Sequence, residues 1–185
     1  MALLSSPLCE FGKKMPEFEL INIDGNLYQS SKILNKKGFL IIFICNHCPY
    51  VKAIIKRLVK TIKILQDFDV ECLAIMPNDV NKYPEDNFEN MKKFADSNSF
   101  SFKYLIDTDQ NITKKFGAVC TPDFFGYNKE NELQYRGRLS EIKNLEFVND
   151  NNDLLNAMKL IIDTGTGPRI QYPSSGCSIK WKASL

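Results

Sequence analysis

The sequence has one histidine, one tryptophan and a net charge of only +2 across 185 residues, and its longest purely apolar run is Phe39 to Cys45. Each scarcity excludes something. One C-x-x-C with no second, and a lone histidine inside it, leaves no paired knuckles of the kind that hold structural zinc. A near-neutral charge does not draw nucleic acid or an acidic membrane as the main partner. The apolar run is far too short to span a bilayer. The opening "MALLSSPLCEFGKKMP" has neither the basic start nor the full apolar core of a secretory leader, so a cytoplasmic protein is expected. "DTDQNITKKFGA" starts like a calcium loop at Asp107, Asp109 and Asn111. It carries Ile112 where the turn glycine belongs and Ala118 where the bidentate glutamate belongs. "GTGP" is a fragment of a phosphate loop without the following lysine and serine. There is no repeat, low-complexity block or linker.

What is present is ordinary globular composition, 44% hydrophobic and 25% charged, and a length that suits one domain with added terminal segments. "FELINIDGNLYQ" places short β-type runs around the turn dipeptide Asp24-Gly25, which predicts a small hairpin. "GFLIIFIC", Gly38 to Cys45, is apolar without alternation and reads as a strand buried on both faces. From Pro49 the period changes. Val51, Ile54, Ile55, Leu58, Ile62 and Leu65 share one helical face, and Lys52, Lys56, Lys60 and Lys63 lie elsewhere. "VECLAIM" reads as a second buried strand, and a helix is expected from Pro84 with Phe88, Met91, Phe94 and Ala95 as its apolar face. A strand near Lys103 to Ile106, a helix over Gln110 to Phe116, a hairpin turning at "NKEN" and a last helix from about Asp153 to Ile162 complete the pattern. Strands alternating with helices predict an α/β protein with a mixed sheet, in which chemistry gathers at the carboxyl ends of parallel strands.

That position is occupied by "FICNHCPYVK", residues 43 to 52, which holds Cys45, His47 and Cys48. Cys48 directly precedes Pro49, a residue suited to the first helical position. A sulfur there faces unpaired helix amides, which stabilise a thiolate and lower a cysteine pKa from about 8.5 toward roughly 3.5 to 7.5. His47, when protonated, adds to that field. Cys45 is close enough in sequence to form a disulfide with an oxidised Cys48. The remaining cysteines are Cys9, Cys72, Cys120 and Cys177. Cys72 falls within a buried strand and reads as core, and Cys9 has no assignable role. Six cysteines in a chain with ample core sequence argue for resting thiols in a reducing compartment rather than a disulfide framework.

These residues resemble the thioredoxin fold, in the peroxiredoxin-like branch of the AhpC/TSA (alkyl hydroperoxide reductase/thiol-specific antioxidant) family. "FLIIFICNHCPYVKAI" resembles its strand, active-site loop and helix. "AIMPNDVNKYPEDNFENMKKFA" resembles the next strand and helix, with an Asn-Asp step and a YPED run. "FGAVCTPDFFGYNKENELQYRGRL" resembles the segment with the Thr-Pro step, and "GCSIKWK" the end of these proteins. The resemblance runs from about Phe11 to Lys182. It implies one thioredoxin-like domain over 1–185, with a core of about 11–164. A central mixed sheet would be flanked by helices, with an N-terminal β-hairpin extension and an irregular C-terminal tail over 165–185.

On that pattern Cys48 takes the place of the attacking cysteine. Val51 stands at the thioredoxin resolving position and has no thiol. True peroxiredoxins carry a threonine three residues before the reactive cysteine and a proline four before that; this chain has Cys45 and Ile41. Their partner arginine has no certain counterpart, Arg136 and Arg138 being the candidates. The resemblance implies a cis Thr121-Pro122 step beside Cys48, a peroxide or disulfide substrate, an antioxidant role and a dithiol electron donor such as thioredoxin or glutathione. It implies no organic cofactor and no bound metal, and a homodimer is compatible with it. Resolution falls to Cys45, Cys120 or Cys177, with the first two placed ahead of the third. The alternatives are a metal-handling protein similar to thioredoxin-fold copper chaperones, which use C-x-x-x-C plus a distant histidine, and a non-catalytic binding module.

Overall fold

In a computed structural model that describes residues 3–33 and 35–183, a seven-stranded mixed sheet carries the molecule. In chain order the elements are β1 (Leu3–Ser5), β2 (Glu19–Asn22), β3 (Leu27–Gln29), β4 (Gly38–Phe43), α1 (Pro49–Asp67), β5 (Val70–Met76), α2 (Phe88–Ser97) and β6 (Lys103–Ile106). There follow α3 (Asn111–Phe116), β7 (Cys120–Thr121), β8 (Asp123–Asn128), β9 (Leu133–Gly137), β10 (Ile142–Lys143), β11 (Glu146–Phe147), α4 (Asp153–Thr164) and β12 (Ser175–Ser178). The main sheet has the order β3-β2-β6-β5-β4-β8-β9. Strands β4, β5 and β6 are parallel, and the flanking pairs are antiparallel.

The unbroken apolar run of β4 is explained by its place between β5 and β8, where both faces are covered. Successive side chains point to opposite faces. Leu40 and Ile42 therefore join the layer under α1, α2 and α4, while Phe39, Ile41 and Phe43 join the layer under α3. The expected apolar face of α1 is the buried one, from Val51 through Leu65. Each of those aliphatic side chains contributes about 1.5–3 kcal/mol relative to leaving it in water. The first hairpin forms β2 and β3 at one edge, and β8 and β9 turn at Asn128, whose Oδ1 accepts from the amides of Glu130 and Glu132.

Two boundaries differ from expectation. Pro84–Asp86 is a separate 3-10 turn, and α2 begins at Phe88, with the Asn87 side chain accepting from the Asn90 amide at 2.9 Å. The break turns Asp86 inward, and the carboxylate is fully buried. The C-terminal tail is irregular over 166–174, but Ser175–Ser178 forms β12 between β1 and β7 in a second, three-stranded sheet. Isolated polar backbone has to be paired when buried, and β7 offers the free edge that β12 takes. No helix among the described residues is long and apolar enough to cross a membrane.

Candidate active site

Strand β4 delivers the motif to the carboxyl end of the parallel strands. Past Phe43 the chain stays tied to β5 for one more residue, through the Ile44 amide to the Ile75 carbonyl, and then turns into α1. Cys48 is the N-cap of that helix with extended backbone, and Pro49 occupies the first turn, as its sequence position predicts.

The turn between Cys45 and Cys48 is held by Asp86, which sequence reasoning assigned no role. Asp86 Oδ1 accepts from the Asn46 amide at 2.8 Å. Its Oδ2 accepts from Asn78 Nδ2 and from His47 Nδ1, each at 2.8 Å. A carboxylate this deep needs donors on both oxygens, and the turn from Cys45 to Cys48 supplies two of the three. His47 is thus fixed in direction, and its ring stacks on Tyr83 with centroids 5.7 Å apart and planes 6° from parallel. The hydrogen bond it donates to Asp86 raises the His47 pKa above its usual 6.5 against the opposing effect of burial. The Asn46 side chain is held by Tyr104, whose hydroxyl donates to Oδ1 at 3.0 Å. The YPED run was the available signal for Asp86, but nothing in one dimension shows that its aspartate reaches back to residues 46 and 47.

The Thr121-Pro122 peptide is cis and lies against the cysteines. Cys45 Sγ is 3.4 Å from Thr121 Oγ1, and Cys48 Sγ is 3.1 Å from the Thr121 carbonyl. Both sulfurs are buried, Cys48 completely. Burial alone raises a thiol pKa, yet Cys48 is brought down to about 5. The largest cause is a hydrogen bond from the Cys45 thiol, joined by the Val51 amide and by both the thiol and the amide of Cys177. These donors outweigh the opposing effect of burial. Cys45 moves far upward, chiefly because its proton serves the Cys48 sulfur. Cys177 is pushed up to about 12, by burial first and by the Cys48 sulfur second.

The candidate residues therefore separate. Cys48, Cys45, Cys177, Thr121 and Pro122 meet at one point, and His47 orders the turn between the first two. Cys120 is fully buried, its thiol directed at the Pro122 carbonyl at 3.5 Å and pushed upward by burial, with no hydrogen bond to Cys48. The tail cysteine, placed last by sequence order, is in contact, because β12 sets Cys177 opposite Thr121. Neither candidate arginine serves the site. Arg136 donates to the Gly117 carbonyl at 2.7 Å and to buried Asp123 at 3.0 Å, and Arg138 pairs with Asp153 and Glu141. A small hollow of about 90 Å³ lies beside Pro122, lined by Ile54, Phe124, Leu139, Ser174 and Ser175.

One metal-capable group exists among the described residues: Cys45, His47 and Asp86 place ligand atoms within 4.8 Å of one another. Thiolate, imidazole and carboxylate together suit zinc or copper. The fit is poor, because His47 Nδ1 and both Asp86 oxygens are committed to hydrogen bonds with protein groups.

The AhpC/TSA family model matches residues 11–137. The chain belongs to the AhpC/TSA family. Thioredoxin-like redox function follows at that coarse level. An uncharacterised conserved protein from Geobacillus kaustophilus is 36% identical with a TM-score of 0.92, covering 100% of this chain and 99% of that one. A hypothetical protein from Sinorhizobium meliloti 1021 is 30% identical with a TM-score of 0.89, covering 97% and 98%. Peroxidoxin BcpB from Mycobacterium tuberculosis is 15% identical with a TM-score of 0.56, covering 68% and 83%, and shares the thioredoxin-type fold alone. No curated protein matches the chain in sequence.

Proposed function

We propose that this AhpC/TSA protein is a thiol–disulfide oxidoreductase in which Cys48 is the nucleophile. The observation that carries the reading is the Cys48 sulfur itself: it sits at the start of α1, against Thr121, with its pKa lowered to about 5 by surrounding donors. The thiolate, not the thiol, attacks a disulfide sulfur. At neutral pH Cys48 is ionised, while its neighbours Cys45 and Cys177 hold their protons. His47 and Asp86 are positioning residues that fix the turn, and Thr121 and Pro122 form the wall against which a substrate sulfur would lie. A thiol donor such as thioredoxin or glutathione, in a reducing cytoplasm, returns the oxidised protein to its starting state.

The site suits disulfide exchange better than peroxide reduction. Cleaving a peroxide develops negative charge on oxygen, which catalysis meets with preorganised donors or a cation. Here Cys45 stands in the threonine place, and Arg136 and Arg138 are spent elsewhere. The test is to compare rates for a small disulfide and for hydrogen peroxide under second-order conditions, with Cys48→Ser as control. Disulfide exchange that outpaces a free thiol, with peroxide consumption no faster than a free thiolate gives, is expected. Rapid peroxide consumption with a trapped sulfenic acid on Cys48 would replace this reading with a peroxidase.

The Cys45, His47 and Asp86 group supports a second reading, metal handling. Elemental analysis of protein purified without chelator tests it, and a near-zero content of zinc and copper would end it.

A further inference from the structure

We infer that strand β12 is a covalent strap: it closes the site while reduced, and Cys177 returns on it to displace the substrate and form a Cys48–Cys177 disulfide. The inference rests on the reading of Cys48 as nucleophile and adds the resolving residue and the gate. It comes from backbone placement. Segment Ser175–Ser178 lies antiparallel on the edge of β7, with Cys177 opposite Thr121 and Ser178 opposite Cys120. Thr121 is also the residue whose carbonyl and hydroxyl meet Cys48 and Cys45. A substrate chain approaching Cys48 along this edge meets β12 already there.

The seat of the strap is specific. A Cβ built on Gly176 would lie 2.1 Å from the Thr121 carbonyl oxygen, 2.6 Å from its carbon and 3.0 Å from Pro122. Only a glycine lets the strap approach so closely. The ends are tied as well. Ser174 Oγ donates to the Pro122 carbonyl at 2.7 Å, and the Ser6 amide donates to the Ser174 carbonyl at 2.8 Å. Downstream, the Lys180 amide donates to Asn78 Oδ1 at 2.9 Å, and Asn78 also holds Asp86. With the strap in place Cys48 has no exposed surface. A substrate disulfide reaches the sulfur once the strap lifts. The strap also lies beyond residues 11–137 that match the family model, so the match itself assigns it nothing.

The chemistry balances with a disulfide R–S–S–R′ as oxidant. The Cys48 thiolate attacks one sulfur, the S–S bond breaks, and R′–S⁻ leaves and takes a proton. Cys177 then loses its proton and attacks the Cys48 sulfur of the mixed disulfide. The bond to R breaks, R–S⁻ leaves as the second thiol, and the protein holds a Cys48–Cys177 disulfide. Two electrons pass from the two protein thiols to the substrate. Substrate and strap share one edge, so the group that resolves the intermediate also drives the product off it.

Oxidised glutathione is the probe. Reduced wild-type protein, Cys177→Ser, Cys45→Ser, Gly176→Ala and Cys48→Ser are treated with it, quenched with acid and mapped by non-reducing peptide mass spectrometry. Alkylation of Cys48 in the reduced proteins is timed in parallel. A Cys48–Cys177 disulfide is expected in wild type and Cys45→Ser, and a stable glutathione adduct on Cys48 in Cys177→Ser. Gly176→Ala, which removes no thiol, is expected to raise the alkylation rate of Cys48 about tenfold or more and to lengthen the life of the adduct. A Cys45–Cys48 disulfide in wild type, with no adduct retained in Cys177→Ser, would overturn the strap while leaving Cys48 as nucleophile. Absence of any Cys48 adduct or disulfide would instead overturn the reading of Cys48. Because Cys177→Ser keeps the glycine and the strand, it decides the matter even where Gly176→Ala fails to fold.

Discussion

Cys48 and Cys72 are almost equally hidden, at 0% and 3% exposure, yet the fold moves their thiols in opposite directions. Cys72 lies within β5, opposite Leu40 of β4, and its thiol faces the Val70 carbonyl at 3.7 Å. Burial pushes it upward and no donor answers. Cys48 is brought down to about 5 in an equally dry place because it receives hydrogen bonds from Cys45, Val51 and Cys177. Burial alone therefore does not set the direction of a thiol's shift here; it depends on whether the surrounding groups donate to sulfur or only exclude water.

The comparison breaks most easily by removing each sulfur in turn. Cys48→Ser should lower the rate of disulfide exchange on the order of 10³-fold or more, whereas Cys72→Ser should leave it within about twofold. A kinetic assay with a chromogenic disulfide reads both, and equal losses would erase the distinction. The next largest effect is expected at the support beneath Cys48. Asp86→Ala leaves the Asn46 amide, Asn78 and His47 without their acceptor, and should cost about 3 kcal/mol in urea unfolding. The His47 titration, followed by NMR, should fall back toward 6.5 in the same variant. Unchanged stability and an unchanged histidine pKa would show that Asp86 does not hold the turn.

The pH dependence sharpens the contrast further. Alkylation of Cys48 in wild type should follow a titration centred near 5. Removing the first donor, in Cys45→Ala, should raise that midpoint by about one unit, a roughly tenfold change in thiolate at low pH. The shift also bears on stability. The Cys48 thiol has a folded pKa below its unfolded value, so its contribution is full above the unfolded value near 9 and is lost as pH falls toward 5. His47 acts in the other sense: its contribution is full below 6.5 and is lost as pH rises through its raised folded value. Smallest of all, Cys72→Ala should cost about 1 kcal/mol through lost packing, with no change in the alkylation profile of Cys48.

Much of this was legible along the chain. The continuous run of β4, the apolar face of α1 and the change of period at Pro49 located Cys48 at a helix start, and the structure has it there. The hairpin turning at Asn128 and the helix at Asp153 also follow from local pattern. The helix expected from Pro84 begins at Phe88 instead, because Asp86 is claimed by a turn some forty positions earlier, a contact no local pattern encodes. The tail was expected to be irregular for a related reason: "SGCS" has no strand signature of its own. It is a strand because the edge of β7 lies open beside it.

By itself the sequence determined where Cys48 sits, since the pairing of Cys48 with Pro49 and a following amphipathic helix is a local arrangement whose electrostatics travel with it. It equally determined the layered α/β class, through periodicities of two and 3.6 residues. Tertiary structure alone decided which groups surround that sulfur. Cys177 lies more than a hundred residues away and is brought to Cys48 by the register of β12 on Thr121, while Cys120, next to Thr121, turns its thiol to the Pro122 carbonyl. Alternation along a strand sends neighbouring side chains to opposite faces, so nearness in sequence separates what strand pairing across the fold brings together.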